Sequence, residues 1–151
     1  MTGDLVVGLG CRPGVAAVDV LATVAALLAR HGLDPTAVRA YATLDERAAE
    51  PGLRALAAPA SADSGRADPA LTVPALLAYP ARLLALVDVP NPSARVVAAV
   101  GTASVAEAAA LHAAGELAPP GAEVALVAPK LAGAGVTAAA ARISSPRSGP
   151  A

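Results

Sequence analysis

The chain has no phenylalanine and no tryptophan, and its 151 residues include only two tyrosines, Tyr41 and Tyr79. Much of its 56% hydrophobic content sits in 43 alanines, which bury little area each, so a core has to come from the many Leu and Val residues. A single cysteine, Cys11, excludes a disulfide scaffold. Neither sign of charge is in excess: the net charge is −1 and the pI is near 6.1. No basic face dominates, which argues against duplex nucleic acid as a partner. High hydrophobicity with little net charge excludes an intrinsically disordered chain. Met1–Asp4 provides no cationic region ahead of an apolar stretch, so no secretory signal is read. The longest apolar region, Val15 to Ala29, is interrupted by Asp19 and Thr23 and is too short to span a bilayer. Length and composition fit one soluble domain, and the unpaired thiol places it in the cytoplasm.

What is present alternates between strand and helix signals. Leu5–Leu9 is a short apolar run that reads as a buried strand, followed by the glycine-rich segment Gly10-Cys11-Arg12-Pro13-Gly14. A helix from Val15 to Arg30 follows, with Val18, Leu21, Ala25 and Leu28 at helical spacing and Gly32 as a stop. Val38–Thr43 predicts a second strand. Asp45 can cap a helix through Ala48, and Pro51 opens a turn through Leu53 and Leu56. Residues 57–69 have loop composition. Leu76–Tyr79 predicts a third strand, and Pro80 starts a short helix ending near Leu86. Asn91-Pro92-Ser93 opens another helix that Gly101 ends. Ser104-Val-Ala-Glu107 reads as a capping box for a helix reaching His112 and stopping at Gly115. Glu123–Val127 and Val136–Ile143 predict an antiparallel hairpin whose loop carries Lys130, and residues 144–151 have the composition of a disordered tail. The pattern implies a three-layer α/β/α sandwich over residues 1–143, with a mixed, mostly parallel sheet.

Several residues could carry chemistry. A glycine turn between strand and helix, with Gly8, Gly10 and Gly14, lets backbone N–H groups approach an anion, and Arg12 adds a bidentate donor. Its spacing departs from the dinucleotide fingerprint, and the same glycines serve a tight turn without any ligand. Cys11 beside a helix start and Arg12 would have a lowered thiol pKa; it equally reads as a small buried filler. Lys130 is the only lysine among eleven cations, a compact ammonium in an arginine background, or simply a solvated lysine. Asp45 and Glu50 follow a strand at the edge where open α/β sheets bind ligands, and either they pair as acids or Asp45 serves as a helix cap. Gly101-Thr102-Ala-Ser104 can hold an anion at a helix start or only cap it. His31 and His112 stand apart from any Cys or acid pattern, so no metal or cofactor site is read.

Taken in order, Gly8-Leu-Gly10-Cys11-Arg12, Thr43-Leu-Asp45 through Glu50-Pro-Gly52-Leu53, Pro90-Asn91-Pro92-Ser93, and Val100-Gly101-Thr102-Ala-Ser104-Val-Ala-Glu107 resemble the CobE/CbiG C-terminal domain family of cobalamin biosynthesis. Lys130 and Thr137-Ala-Ala-Ala-Ala extend the likeness, which covers about Leu5 to Ile143. The resemblance implies a domain that meets a precorrin or corrin intermediate in the cytoplasm, with other pathway enzymes as further partners. Two-domain members of the anaerobic route open a lactone on cobalt-precorrin-5A and release acetaldehyde; stand-alone members belong with the aerobic route. Three roles follow: a carrier or accessory protein binding the intermediate, a hydrolase or lyase with Asp45, Glu50 or Lys130 as acid–base candidates, or an interaction module for another enzyme. The ligand edge implied runs through Gly8, Gly10, Cys11, Arg12, Asp45, Ser93, Gly101, Thr102, Ser104 and Lys130. The chain departs from the family at Val15, where a hydroxyl residue is usual, and at Arg47, where lysine is common.

Overall fold

Five strands form one mixed sheet in the computed structural model, which describes residues 4–57, 75–86 and 105–144. Strands β1 (Leu5–Cys11), β2 (Val38–Leu44) and β3 (Ala75–Tyr79) run parallel, as expected of strands separated by helices. Strands β4 (Glu123–Ala132) and β5 (Val136–Ser144) form the antiparallel hairpin read from their short connection. β5 lies antiparallel to β1, giving the order β3-β2-β1-β5-β4. The fold is α/β.

Alternation along β1 assigns the two faces. Leu5, Val7 and Leu9 pack with Val20, Val24, Leu27 and Leu28 of helix α1 (Ala17–Arg30) and with Leu53 of helix α2 (Pro51–Ala57). Val6 faces the other way, into a cluster with Leu84 of the short helix α3 (Ala81–Leu84) and Ala108, Ala109, Ala110, Ala113 and Ala114 of helix α4 (Val105–Leu117). A β-carbon at Gly8 would collide with the Ala106 carbonyl oxygen and lie 2.6 Å from the Ala110 nitrogen. Gly8 is therefore glycine because α4 crosses the sheet directly above it. Ala138 to Ala141 of β5 are all buried: Ala139 pairs with Gly8 and Ala141 packs with the α4 cluster, whereas Ala138 and Ala140 pack with α1.

Several local expectations are corrected. Gly8 and Gly10 belong to β1, so the turn itself begins at Arg12, and Gly14 supplies its positive φ of 79°. The buried stripe of α1 is Val20, Thr23, Val24, Leu27 and Leu28, whereas Val18 and Leu21 are 70% and 47% exposed. Apolar residues lie on the exposed side of the helix as well, so their spacing alone does not single out the buried stripe. Its buried hydroxyl, Thr23, is satisfied within the helix by donating to the Asp19 carbonyl at 2.8 Å. Gly32, at φ +63°, follows the helix as expected. Asp45 does not cap a helix: it opens a 3-10 turn, Asp45–Arg47, whose cap position is Leu44. α4 runs through Gly115 to Leu117, because one helical glycine costs only about 1 kcal/mol and the packed face outweighs it. Lys130 lies within β4 rather than in a loop, since the strand continues to Ala132. Ser144 closes β5, and of the expected loop 57–69 only Ala57 is described, at the end of α2. The rest of that loop, the tail after Ser144 and the helix opened at Asn91 lie outside the described residues.

The closeness of α4 to β1 is open to measurement. Gly8→Ala should destabilise the chain by about 3 kcal/mol, at the upper end for overpacking, because the obstacle is helix backbone. Urea unfolding followed by far-UV circular dichroism reads this directly, and a loss below about 1 kcal/mol would mean that α4 can move aside.

Candidate functional site

The sheet topology sets where a site can form. From β1 the chain turns to β2 and β3 on one side and later returns to β4 and β5 on the other, so β1 borders the switch point of the sheet. At the carboxyl end of β1 the helices diverge to opposite faces, which leaves a crevice. Because β5 is antiparallel, its first residue, Val136, pairs with Cys11, and the hairpin turn closes the same edge.

A groove of about 410 Å³ occupies that edge. Gly10, Cys11 and Arg12 form one wall and Val105, at the start of α4, stands beside them. Lys130 and Ala132 of β4, the turn glycines Gly133 and Gly135, and Val136 and Thr137 complete it. The structure thus brings together Gly10, Cys11, Arg12 and Lys130, four of the residues singled out in the sequence. Neither the Arg12 guanidinium nor the Lys130 ammonium has an ionic or hydrogen-bonded partner among the described residues, and both residues are exposed. Gly8 is not in the groove but beneath α4. Asp45 and Glu50 do not line it either. Ser93, Gly101, Thr102 and Ser104 lie outside the described residues.

The loop after β1 spends its backbone donors internally. The Arg12 N–H donates to the Gly135 carbonyl at 2.9 Å, and the Gly14 N–H donates to Glu50 Oε1 at 2.8 Å. The carboxylate of Glu50 thus holds a donor that the sequence offered to a ligand. Arg47, which the sequence reading left without a role at the site, ties the same corner by donating from Nε to the Cys11 carbonyl at 3.0 Å. Helix α1 begins only at Ala17, with Ala16 as its cap, so Cys11 is the last residue of a strand and not a helix N-terminus.

That placement reverses the expectation for the thiol. Burial pushes the Cys11 pKa up, the Glu50 carboxylate adds to the rise, and the Arg47 guanidinium only partly opposes it. Missed in the sequence were also the hairpin glycines, although Gly133-Ala-Gly135 between two strands is a visible turn signal. Glu107, read as a cap partner, is fully buried, and its Oε2 accepts the Lys130 N–H at 3.0 Å.

Two other features bear comparison with this groove, the first of which shares Ala132 and Gly133 with it. A wider groove, about 740 Å³, runs between α1 and the hairpin tip, but alanines make up half of its lining and Asp19 and Arg30 are its charged residues. None of the candidate residues lies there, so we place the site at the smaller groove. On the α4 side, Tyr79 donates to Glu116 Oε1 at 2.7 Å, with His112 edge-on to the Tyr79 ring at 4.6 Å. Burial and the Glu116 carboxylate raise the Tyr79 pKa strongly. Among the described residues no three His, Cys, Asp or Glu side chains gather as a metal site.

The thiol environment makes a prediction. Alkylation of Cys11 by iodoacetamide should be slower at pH 7.5 than that of a free cysteine, whose pKa is about 8.5, and should climb at more alkaline pH. Glu50→Gln removes a repelling charge and should speed the reaction at pH 8; Arg47→Ala should slow it. An unchanged rate in both variants would show that neither charge reaches the thiol.

Comparison with known proteins places this geometry. Residues 5–141 match the family described as Cobalamin synthesis G C-terminus. Protein CobE of a Sinorhizobium species is 37% identical over 137 residues, 91% of this chain and 79% of that protein. The crystal structure of CobE, described as a protein from the cobalamin (vitamin B12) biosynthetic pathway, superposes with a TM-score of 0.73. It is 29% identical, and the match covers 97% of this chain and 95% of that one. The cobalamin biosynthesis protein chiG from Agrobacterium tumefaciens gives a TM-score of 0.57 at 29% identity, covering 91% of this chain and 97% of the other. Among the described residues no helix is long and apolar enough to cross a membrane. The chain therefore belongs to the Cobalamin synthesis G C-terminus family, and its role is in cobalamin biosynthesis.

Proposed function

We propose that the chain binds a precorrin or corrin intermediate at the groove beside the end of β1, as a carrier or accessory factor. Such intermediates are broad apolar macrocycles rimmed with carboxylates. The observation that carries the reading is that one groove is lined by Arg12 and Lys130, two cations without a partner among the described residues, together with glycines, Ala132, Val105 and Val136. A volume of about 410 Å³ is at the lower end of the usual range for small-molecule sites, about 300–1,000 Å³. It suits one edge of a macrocycle, with the two cations meeting rim carboxylates and the small residues meeting the ring.

Binding is favoured over chemistry by the state of the acids. Glu50 is engaged with the Gly14 N–H, Asp45 lies off the groove, and no carboxylate lines it among the described residues. The affinity would come from exposed charges in a high-dielectric setting, so it should fall with ionic strength.

Titrating the protein into a free-acid corrin such as cobyrinic acid, and following the visible spectrum of the corrin, tests this directly. A saturable change at one corrin per chain is expected. Arg12→Ala and Lys130→Ala should each weaken binding by about three- to tenfold at low salt, and by less at high salt. Undiminished affinity in the double variant would remove the site from this groove.

A further inference from the structure

Glu107 is the one charged side chain that is buried among the described residues, at 0% exposure in the first turn of α4. A buried carboxylate is costly unless fixed donors replace the water it gives up, so its donors mark what it is there to hold. One of them is the backbone N–H of Lys130, 3.0 Å from Oε2. That N–H is available because β4 loses register with β5 twice, between Leu126 and Ala128 and again between Ala128 and Leu131. Each break inserts one extra residue, and inserted residues bend a strand and re-aim its side chains. Pro129, within the second break, has no N–H to restore the ladder. Since Glu107 belongs to a helix packed on the sheet face, its carboxylate takes an N–H turned out of the sheet plane.

We propose that Glu107 is a positioning residue for the groove: its buried carboxylate pins the irregular segment of β4 so that Lys130 projects over the ligand edge. This rests on the binding role proposed for Arg12 and Lys130. A lysine head moves on a long flexible stem, so what a fold can fix is the point from which the stem starts. Lys130 lines the groove while its own backbone N–H is tied to α4, the helix whose first residue, Val105, lines the same groove. The sequence placed Glu107 only in a capping box, and its burial among alanines is the sign of the further role.

The test is a cycle of variants read by cobyrinic acid titration, with circular dichroism to confirm folding. Glu107→Leu fills the volume without an acceptor and should reproduce most of the loss caused by Lys130→Ala, about three- to tenfold. In the Glu107→Leu background Lys130→Ala should add less than about twofold, whereas Arg12→Ala should keep its full effect. A merely structural role would lower both contributions together. Glu107→Gln retains an acceptor and should bind within about twofold of the unsubstituted chain. A full Lys130→Ala effect in folded Glu107→Leu overturns the inference and leaves the binding site standing. If Lys130→Ala and Arg12→Ala both change nothing in the unsubstituted protein, the site itself fails and this inference with it. Amide hydrogen exchange on the unsubstituted chain is independent of whether the variants fold: the Lys130 N–H should exchange more slowly than exposed neighbours on β4, and an unprotected rate overturns the pinning.

Discussion

The approach of α4 to the sheet over Gly8 is the constraint on which the rest of the structure depends. Apart from Tyr79, small side chains dominate this face among the described residues, and it is closed by bringing backbones together: glycine at position 8 of β1, Ala139 and Ala141 of β5, and alanines along the inner face of α4. Small side chains bury little area each, so the gain comes from many close contacts at interior density. The alanine-rich composition is thus a packing solution as much as a compositional drift. Its consequence for function is positional. With α4 held down on Gly8, its first residue stands beside Gly10 at the end of β1, and its first turn brings Glu107 within hydrogen-bonding distance of β4. Lifting the helix by a methyl group would separate both pairs.

The sheet order turns that packing into a place for a ligand. Strands to either side of β1 connect away from each other, and an antiparallel hairpin supplies the second side of the crevice, where a purely parallel sheet would have had another strand-to-helix loop. The hairpin brings glycines at 133 and 135 to the edge, so the wall opposite Arg12 is backbone and short side chains. Gly133 also sits against Thr23 of α1, which ties the hairpin tip to the layer on the other face. The edge is therefore braced from both sides of the sheet.

Much of this was legible in the sequence, and the parts that were not have physical reasons. Apolar runs at Leu5–Leu9, Val38–Thr43 and Leu76–Tyr79, punctuated by Gly and Pro, reported the parallel strands well, because buried strands are uniformly apolar. The face of α1 could not be read, because exposed Val18 and Leu21 look no different from buried Val20 and Leu27. Lys130 was assigned to a loop because its neighbours Pro129 and Gly133 signal turns, and a twice-broken strand leaves the same signature. For Cys11 one boundary decides the outcome: β1 runs two residues beyond Leu9, where the apolar run ends, so the thiol ends a strand within reach of the Glu50 charge instead of starting a helix. Glu107 shows the limit most clearly. A motif for capping and a residue holding a distant strand are identical in sequence, and only the tertiary contact separates them.

The way the loop after β1 satisfies itself also bears on what the groove can recognise. A phosphate cradle depends on free backbone N–H groups converging at a helix start. Here the Arg12 N–H is given to Gly135, the Gly14 N–H is given to Glu50, and α1 starts only at Ala17. A carboxylate of the protein therefore already occupies part of the position that an anion would take. On the binding role proposed here, recognition of negative charge passes to side chains, and the two cations that remain unpaired among the described residues at this edge are Arg12, in the loop after β1, and Lys130, in β4. Two separated point charges discriminate poorly for a compact anion but suit a rigid ligand whose acids are spread around a rim. Under the binding role proposed here, the arrangement would favour a polycarboxylate of large footprint over a nucleotide or free phosphate.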